Sequence, residues 1–146
     1  MIVRKSVVVR VSCDAAFRVF TERTDLWWPR DHRPLKRPDS SLVLEAGVGG
    51  LLVDRADDAQ APIGRVLAWD PPRSLALAFF PGSGPLTPTR VDVRFVPVEG
   101  GTRVEIEHGR GELPADRFGD TAPRFERNWT LLLQRLSELC AELHSP

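Results

Sequence analysis

The chain has 146 residues, with 20 Lys plus Arg against 20 Asp plus Glu and so no net formal charge. That balance removes the electrostatic excess on which nucleic-acid and membrane-surface binding draw, and no apolar run is long enough to span a bilayer. A hydrophobic share of 42% and a charged share of 27% fit one globular domain with one core, expected over residues 1–146.

Val3 to Val11 reads as a strand, because β-branched residues dominate and Val7, Val9 and Val11 alternate with Val8 and Arg10. Ser12 is a good N-cap, and Asp14 falls where a helix dipole favours an acid. The following segment, Ala15 to Thr21, carries Ala16, Phe17 and Phe20 on one face. Asp25 to Pro29 reads as a second short helix or turn that stops at the proline. Asp31 to Ser40 is expected to be a loop, and its basic stretch of Arg30, Arg33, Lys36 and Arg37 is read as solvated.

Leu42 to Glu45 and Leu51 to Arg55 form a hairpin around Gly47-Val48-Gly49-Gly50. Asp57 to Pro62 reads as a turn, Ile63 to Trp69 as a strand, and Asp70-Pro71-Pro72-Arg73 as a strong breaker. Ser74 to Phe80, Thr89 to Pro97 and Thr102 to His108 complete the strands, with Glu99-Gly100-Gly101 as the last hairpin turn. Gly109 to Asp120 is read as irregular. Thr121 to Leu143 is then the one long helical pattern: Phe125, Trp129, Leu132, Leu133, Leu136, Leu139, Cys140 and Leu143 recur at steps of three and four. Such a stripe cannot face water, so it must lie on the sheet.

Taken together, the elements predict an α+β fold. In order they are a strand, two short helices, about six more strands and a long C-terminal helix. This order resembles the START-like or SRPBCC superfamily, also called the helix-grip or birch-pollen-allergen fold. Within it, the chain is similar to the bacterial branch named for homologues of the activator of the ninety-kilodalton heat-shock ATPase. The residues that carry the resemblance are Val11-Ser12 with Ala16 to Thr21, Trp27-Trp28-Pro29 with Arg30-Asp31-His32, Gly64-Arg65-Val66, Trp69-Asp70-Pro71-Pro72-Arg73, Thr102 to His108, and the helix containing Trp129. The resemblance implies a curved antiparallel sheet of about seven strands wrapped around the long C-terminal helix, the two short helices after the first strand closing one end, and a cavity between sheet and helix.

Period-two alternation along each strand and the helical stripe suggest the cavity walls: Trp27, Trp28, Val66, Leu77, Phe79, Val93, Phe95, Ile106, His108, Trp129, Leu133 and Leu136. His108 continues the inward phase of Val104 and Ile106. It is either an acid–base candidate or a satisfied edge histidine. Glu105 and Glu107 should face solvent and pair with Arg94 or Arg90. His32 beside Asp31 reads as a surface pair, and three scattered histidines make no metal site. Cys13 and Cys140 fit no metal spacing and make no disulfide framework, and a bridge between the two is left open without support. No metal or cofactor is expected, and the N-terminus lacks a signal-peptide core, so the expected compartment is the cytoplasm.

Three functional readings follow. The first is a binding protein for a small hydrophobic or amphipathic molecule, with no reaction assigned. The second is a cyclase, aromatase or hydrolase using the same cavity, as elsewhere in the superfamily. The third is a co-chaperone-like interaction module, disfavoured because the chaperone activators carry an additional N-terminal domain. A homodimer through exposed apolar residues around Leu51, Leu52, Phe79 and Phe80 is also considered.

Overall fold

The structure, a computed structural model, describes residues 1–144. Strand β1 (Ile2–Val9) leads into α1 (Cys13–Glu22), α2 (Thr24–Trp27) and a single 3-10 turn (Arg30–His32). Six strands follow: β2 (Ser41–Leu44), β3 (Leu51–Ala56), β4 (Ala59–Asp70), β5 (Ser74–Phe79), β6 (Thr89–Val98) and β7 (Gly101–Gly109). Helix α3 (Ala115–His144) closes the described chain. The strands make one seven-stranded antiparallel sheet in the order β1-β7-β6-β5-β4-β3-β2.

Local chemistry explains the main boundaries. Ser12 caps α1, its hydroxyl accepting from the Ala15 N–H at 3.2 Å, which satisfies a donor that the first turn leaves free. The β3–β4 hairpin is tighter than the sequence suggested. Ala56 pairs with Ala59, so the turn expected over Asp57 to Pro62 shrinks to Asp57-Asp58. Pro62 is tolerated inside β4 because it lies at the register shift opposite Val53, where the ladder is already irregular. A second shift between Val66 and Ala68 interrupts the β4–β5 ladder. Bulges of this kind bend a strand and increase its twist.

The strand phase is as the alternation predicts. Val93 lies opposite Ile106 and Phe95 opposite Val104, and all four are in the core with Leu75, Leu77 and Phe79. The outer face carries ion pairs: Arg94 with Glu105 at 2.6 Å, Arg4 with Glu107 at 3.4 Å, and Arg90 with its own neighbour Asp92 at 3.0 Å. Cys13 and Cys140 are free thiols. Among the described residues, no helix is long and apolar enough to cross a membrane.

Three expectations are corrected. Helix α3 begins at Ala115, not Thr121, so residues 115–120 are helical rather than irregular. Phe118 and Ala122 extend the buried stripe backwards, and the exposed Pro123 is absorbed within the helix. The stripe also ends earlier: Leu143 is 51% exposed, whereas Leu136 and Cys140 are fully buried. Finally, Leu52 and Phe79 are core residues, so the proposed apolar dimer patch does not exist as drawn.

The phase of α3 is testable. Leu136→Ala should destabilise the protein by about 2–5 kcal/mol through lost transfer free energy and a residual cavity. Leu143→Ala should stay within about 0.5 kcal/mol. Urea unfolding with unchanged m-values separates the two.

Candidate functional site

Two adjacent tryptophans diverge where α2 ends. Trp27, the last residue of α2, turns into the core against Phe20, with ring centroids 4.8 Å apart. Trp28 is extended (φ −87, ψ 116) and so points elsewhere. Its ring meets Trp129 edge-on at 6.0 Å and Phe79 at 6.3 Å. Phe79 in turn lies 6.3 Å from Phe125 and 6.2 Å from Trp129. Edge and tilted packing of this kind adds specific attraction to the area buried.

Over this aromatic floor lies a pocket of about 680 Å³. Trp28, Ile63, Phe79, Phe125, Trp129 and Leu132 form its buried base, and the exposed side chains of Asp31, Pro34, Lys36, Pro85 and Arg124 form its rim. It sits between the N-terminal half of α3, the 81–85 loop, the start of β4 and the segment that follows Trp28.

That last segment is held down by buried polar contacts. Arg33 is 2% exposed. Its guanidinium donates to the Asp25 carboxylate at 2.6 Å and to the Asp25 carbonyl at 2.7 Å, and its Nε donates to the Trp28 carbonyl at 3.1 Å. The Asp25 carboxylate also accepts from the Leu42 N–H at 2.8 Å, tying α2 to β2. One residue beyond Pro34, the Leu35 N–H donates to the buried Asp54 carboxylate at 3.0 Å. The basic stretch is therefore not uniformly solvated. Arg33 acts as an internal clamp, since a planar guanidinium can satisfy several acceptors from one buried position.

His108 lies behind the floor. It is fully buried, with its ring 4.1 Å from Phe125. The Trp129 Nε1–H donates to His108 Nδ1 at 3.0 Å. An indole N–H can only donate, so Nδ1 must be an acceptor and the ring proton must sit on Nε2. Nε2 then donates to the Thr89 hydroxyl at 2.7 Å, and that hydroxyl donates to the Phe79 carbonyl at 3.3 Å. Both ring nitrogens are occupied. Burial pushes the imidazole down to about 3, because desolvation disfavours its charged form.

His32 behaves differently from the surface pair expected of it. It is half-buried and lines the pocket, while its neighbour Asp31 stands on the exposed rim. Its backbone is fixed: the His32 N–H donates to the Pro29 carbonyl at 3.1 Å, and its carbonyl accepts from Trp28 Nε1 at 3.3 Å. Its Nε2 is buried without a hydrogen-bond partner among the described residues. Among those residues there is also no cluster of three or more His, Cys, Asp or Glu able to hold a metal ion.

Comparison with known proteins places this geometry. The family described as "Activator of Hsp90 ATPase homolog 1-like protein" matches residues 10–141. The chain belongs to that family. The solved anthrahydroquino-gamma-pyrone synthase Txn09, complexed with SUM, is 35% identical, with 94% of this chain and 95% of that one covered at a TM-score of 0.64. The Aha1 dimer from Colwellia psychrerythraea is 17% identical, covering 94% of both chains at a TM-score of 0.67. A protein from Rhodobacter sphaeroides is 19% identical, covering 98% and 93% at 0.73. At those identities the last two speak for the fold. No curated protein matches the chain.

Of the residues the sequence suggested as cavity walls, this member of the activator-homologue family brings Trp28, Phe79 and Trp129 to the pocket. Trp27, Val66, Leu77, Val93, Phe95, Ile106, Leu133 and Leu136 are buried in the core away from it, and His108 lies one layer behind. The opening is displaced toward the N-terminal half of α3. Lining residues outside that suggestion include His32, Lys36, Ile63, Phe80, Arg124, Phe125, Asn128 and Leu132. One signal for them was present: Asn128 interrupts the polar–apolar edge of a Phe125, Trp129, Leu132 face at helical spacing.

The His108 geometry has a pH consequence. Folded His108 stays neutral down to about 3, whereas the unfolded residue takes a proton below its ordinary value near 6.5. The unfolded state then binds more protons, so stability falls as pH drops through this window. Between pH 7 and pH 5 this residue should remove about 2 kcal/mol of stability. His108→Gln, which can accept from Trp129 and donate to Thr89 without titrating, should lack that component when urea unfolding is compared at the two pH values.

Proposed function

We propose that the protein binds a small, planar, largely aromatic molecule in the pocket between the sheet, the segment after Trp28 and the N-terminal half of α3. The observation that carries this reading is the pocket's construction. Its volume of about 680 Å³ falls in the range of small-molecule sites, and such sites combine an apolar lining with a few placed polar groups. Here the base is Trp28, Phe79, Phe125, Trp129, Ile63 and Leu132, and the polar groups are His32, Asn128, Lys36 and Arg124. Flat aromatic walls favour a flat aromatic guest.

A second reading, catalysis on such a guest, is favoured by a separate observation: 35% identity across 94% of this chain to a solved anthrahydroquino-gamma-pyrone synthase. Ring-forming chemistry on a polycyclic aromatic needs a group that can move a proton beside the bound molecule. His32 is the candidate for that role. His108 is not, because its two nitrogens are already engaged with Trp129 and Thr89. The interaction-module reading rests on the family's descriptive name alone.

Calorimetric titration with 1,8-dihydroxyanthraquinone tests the binding reading. Saturable one-to-one binding is expected, and at one hundred times the dissociation constant the ligand should add about 2.7 kcal/mol of stability. Asn128→Trp should fill the pocket and weaken binding by at least about tenfold, roughly 1.4 kcal/mol, with little change in unfolding midpoint. Unaltered binding in that variant would place the guest elsewhere.

A further inference from the structure

We infer that the pocket selects a planar aromatic anion, its acidic oxygen set against His32 Nε2 and its charge against Lys36 and Arg124; this rests on reading the pocket as a ligand site. Three independent features converge. The first is the unpartnered His32 Nε2. Buried polar atoms are nearly always hydrogen-bonded, and an exception calls for a missing partner. The His32 backbone is tied by two hydrogen bonds, to Pro29 and Trp28, and Arg33 is clamped beside it. The atom itself is closed to solvent, and the imidazole turns about its own side-chain bonds to meet a guest.

The second feature is charge. Lys36, Arg124, Arg33 and Asp31 are the charged residues on the lining. Arg33 is neutralised by Asp25 at 2.6 Å. Among the described residues, Lys36 and Arg124 have no carboxylate partner. Set against Asp31 they leave one positive charge in excess at the mouth of an apolar hole, in a chain with no net charge overall. A guest with an ionised oxygen would complete charge-assisted hydrogen bonds there.

The third is the backbone that positions those cations. Lys36 is the one non-glycine residue among those described with positive φ, at 51. Side-chain-bearing residues seldom adopt that conformation, and such outliers concentrate at ligand sites. On the opposite rim, Gly82 (φ +77) leaves space into which the Arg124 guanidinium settles: a Cβ there would stand 3.1 Å from Arg124 Nη2 and 3.4 Å from Phe125. Lys36 thus comes from the loop after the 3-10 turn and Arg124 from helix α3, and both border one aromatic floor.

Carboxylate and acidic phenolate share this chemistry, so three probes are needed: 2-naphthoate, 2,4-dinitro-1-naphtholate, and the neutral 2-naphthylmethanol. Calorimetry at about pH 7.5 and about 50 mM salt, chosen to limit screening, should give at least about tenfold tighter binding of an anion than of the alcohol. Whichever anion is preferred identifies the oxygen type. Lys36→Asn combined with Arg124→Gln should erase the preference by weakening the anions far more than the alcohol. Asn is chosen because it tolerates positive φ. His32→Leu should weaken the anions by about fivefold or more. Equal affinity for all three probes, or a preference that survives these substitutions, overturns the inference and leaves the ligand-pocket reading standing. Binding of none of them overturns both.

Discussion

The structure depends on how α3 is seated against the sheet, and one hydrogen-bonded line sets that seating. It runs from the Trp129 indole on the helix through His108 on β7 and Thr89 on β6 to the Phe79 carbonyl on β5. Apolar packing alone tolerates sliding, because leucines on a stripe are nearly interchangeable. A buried donor that would lose its acceptor is not tolerant: an unmade bond there costs about 1–3 kcal/mol. The line therefore selects one axial and rotational position of the helix. Phe118 and Phe125 then fall on either side of His108, at 5.9 and 4.1 Å.

That position also explains why a hole exists where it does. Large aromatic rings from α3, β5 and the end of α2 meet edge-on or tilted, and the pocket lies over them. Closer to the centre, leucine, valine and isoleucine side chains are buried together in the core. The same residues that anchor the helix thus present their outer faces to the pocket. Arg33 performs the corresponding task on the other wall. By joining Asp25, the Trp28 carbonyl and, through Asp25, the Leu42 N–H, it holds the segment carrying His32 and Lys36 at a fixed distance from the helix. A pocket wall made of loop would otherwise be free to collapse onto the floor.

The division of labour between the two histidine candidates follows from the same geometry. His108 belongs to a strand, is satisfied on both nitrogens, and is held neutral by burial. His32 belongs to a 3-10 turn, has one nitrogen unused, and borders the opening. Alternation along β7 pointed to His108 because strand phase is a regular, legible quantity. Nothing regular pointed to His32. Its neighbour Asp31 suggested a surface pair, yet the two side chains part company at the turn. Likewise the basic stretch looked uniform in composition, and only folding distinguishes the clamped Arg33 from the exposed Lys36.

By itself, the sequence determined the element order, the inward phase of the strands, the amphipathic closing helix and hence the family. Those properties are written in local periodicity, which the chain expresses whatever surrounds it. It also held the aromatic floor in part, through Trp28, Phe79 and Trp129. The start of α3 at Ala115 was hidden by Gly119 and Pro123, which weaken a helical pattern but do not break a helix packed on a sheet. Tertiary structure alone decided where the interior stays open, which tryptophan faces the opening, and which arginine is buried. Each of those depends on residues far apart in the chain arriving together, and on whether their shapes leave a gap, which no spacing along the sequence records.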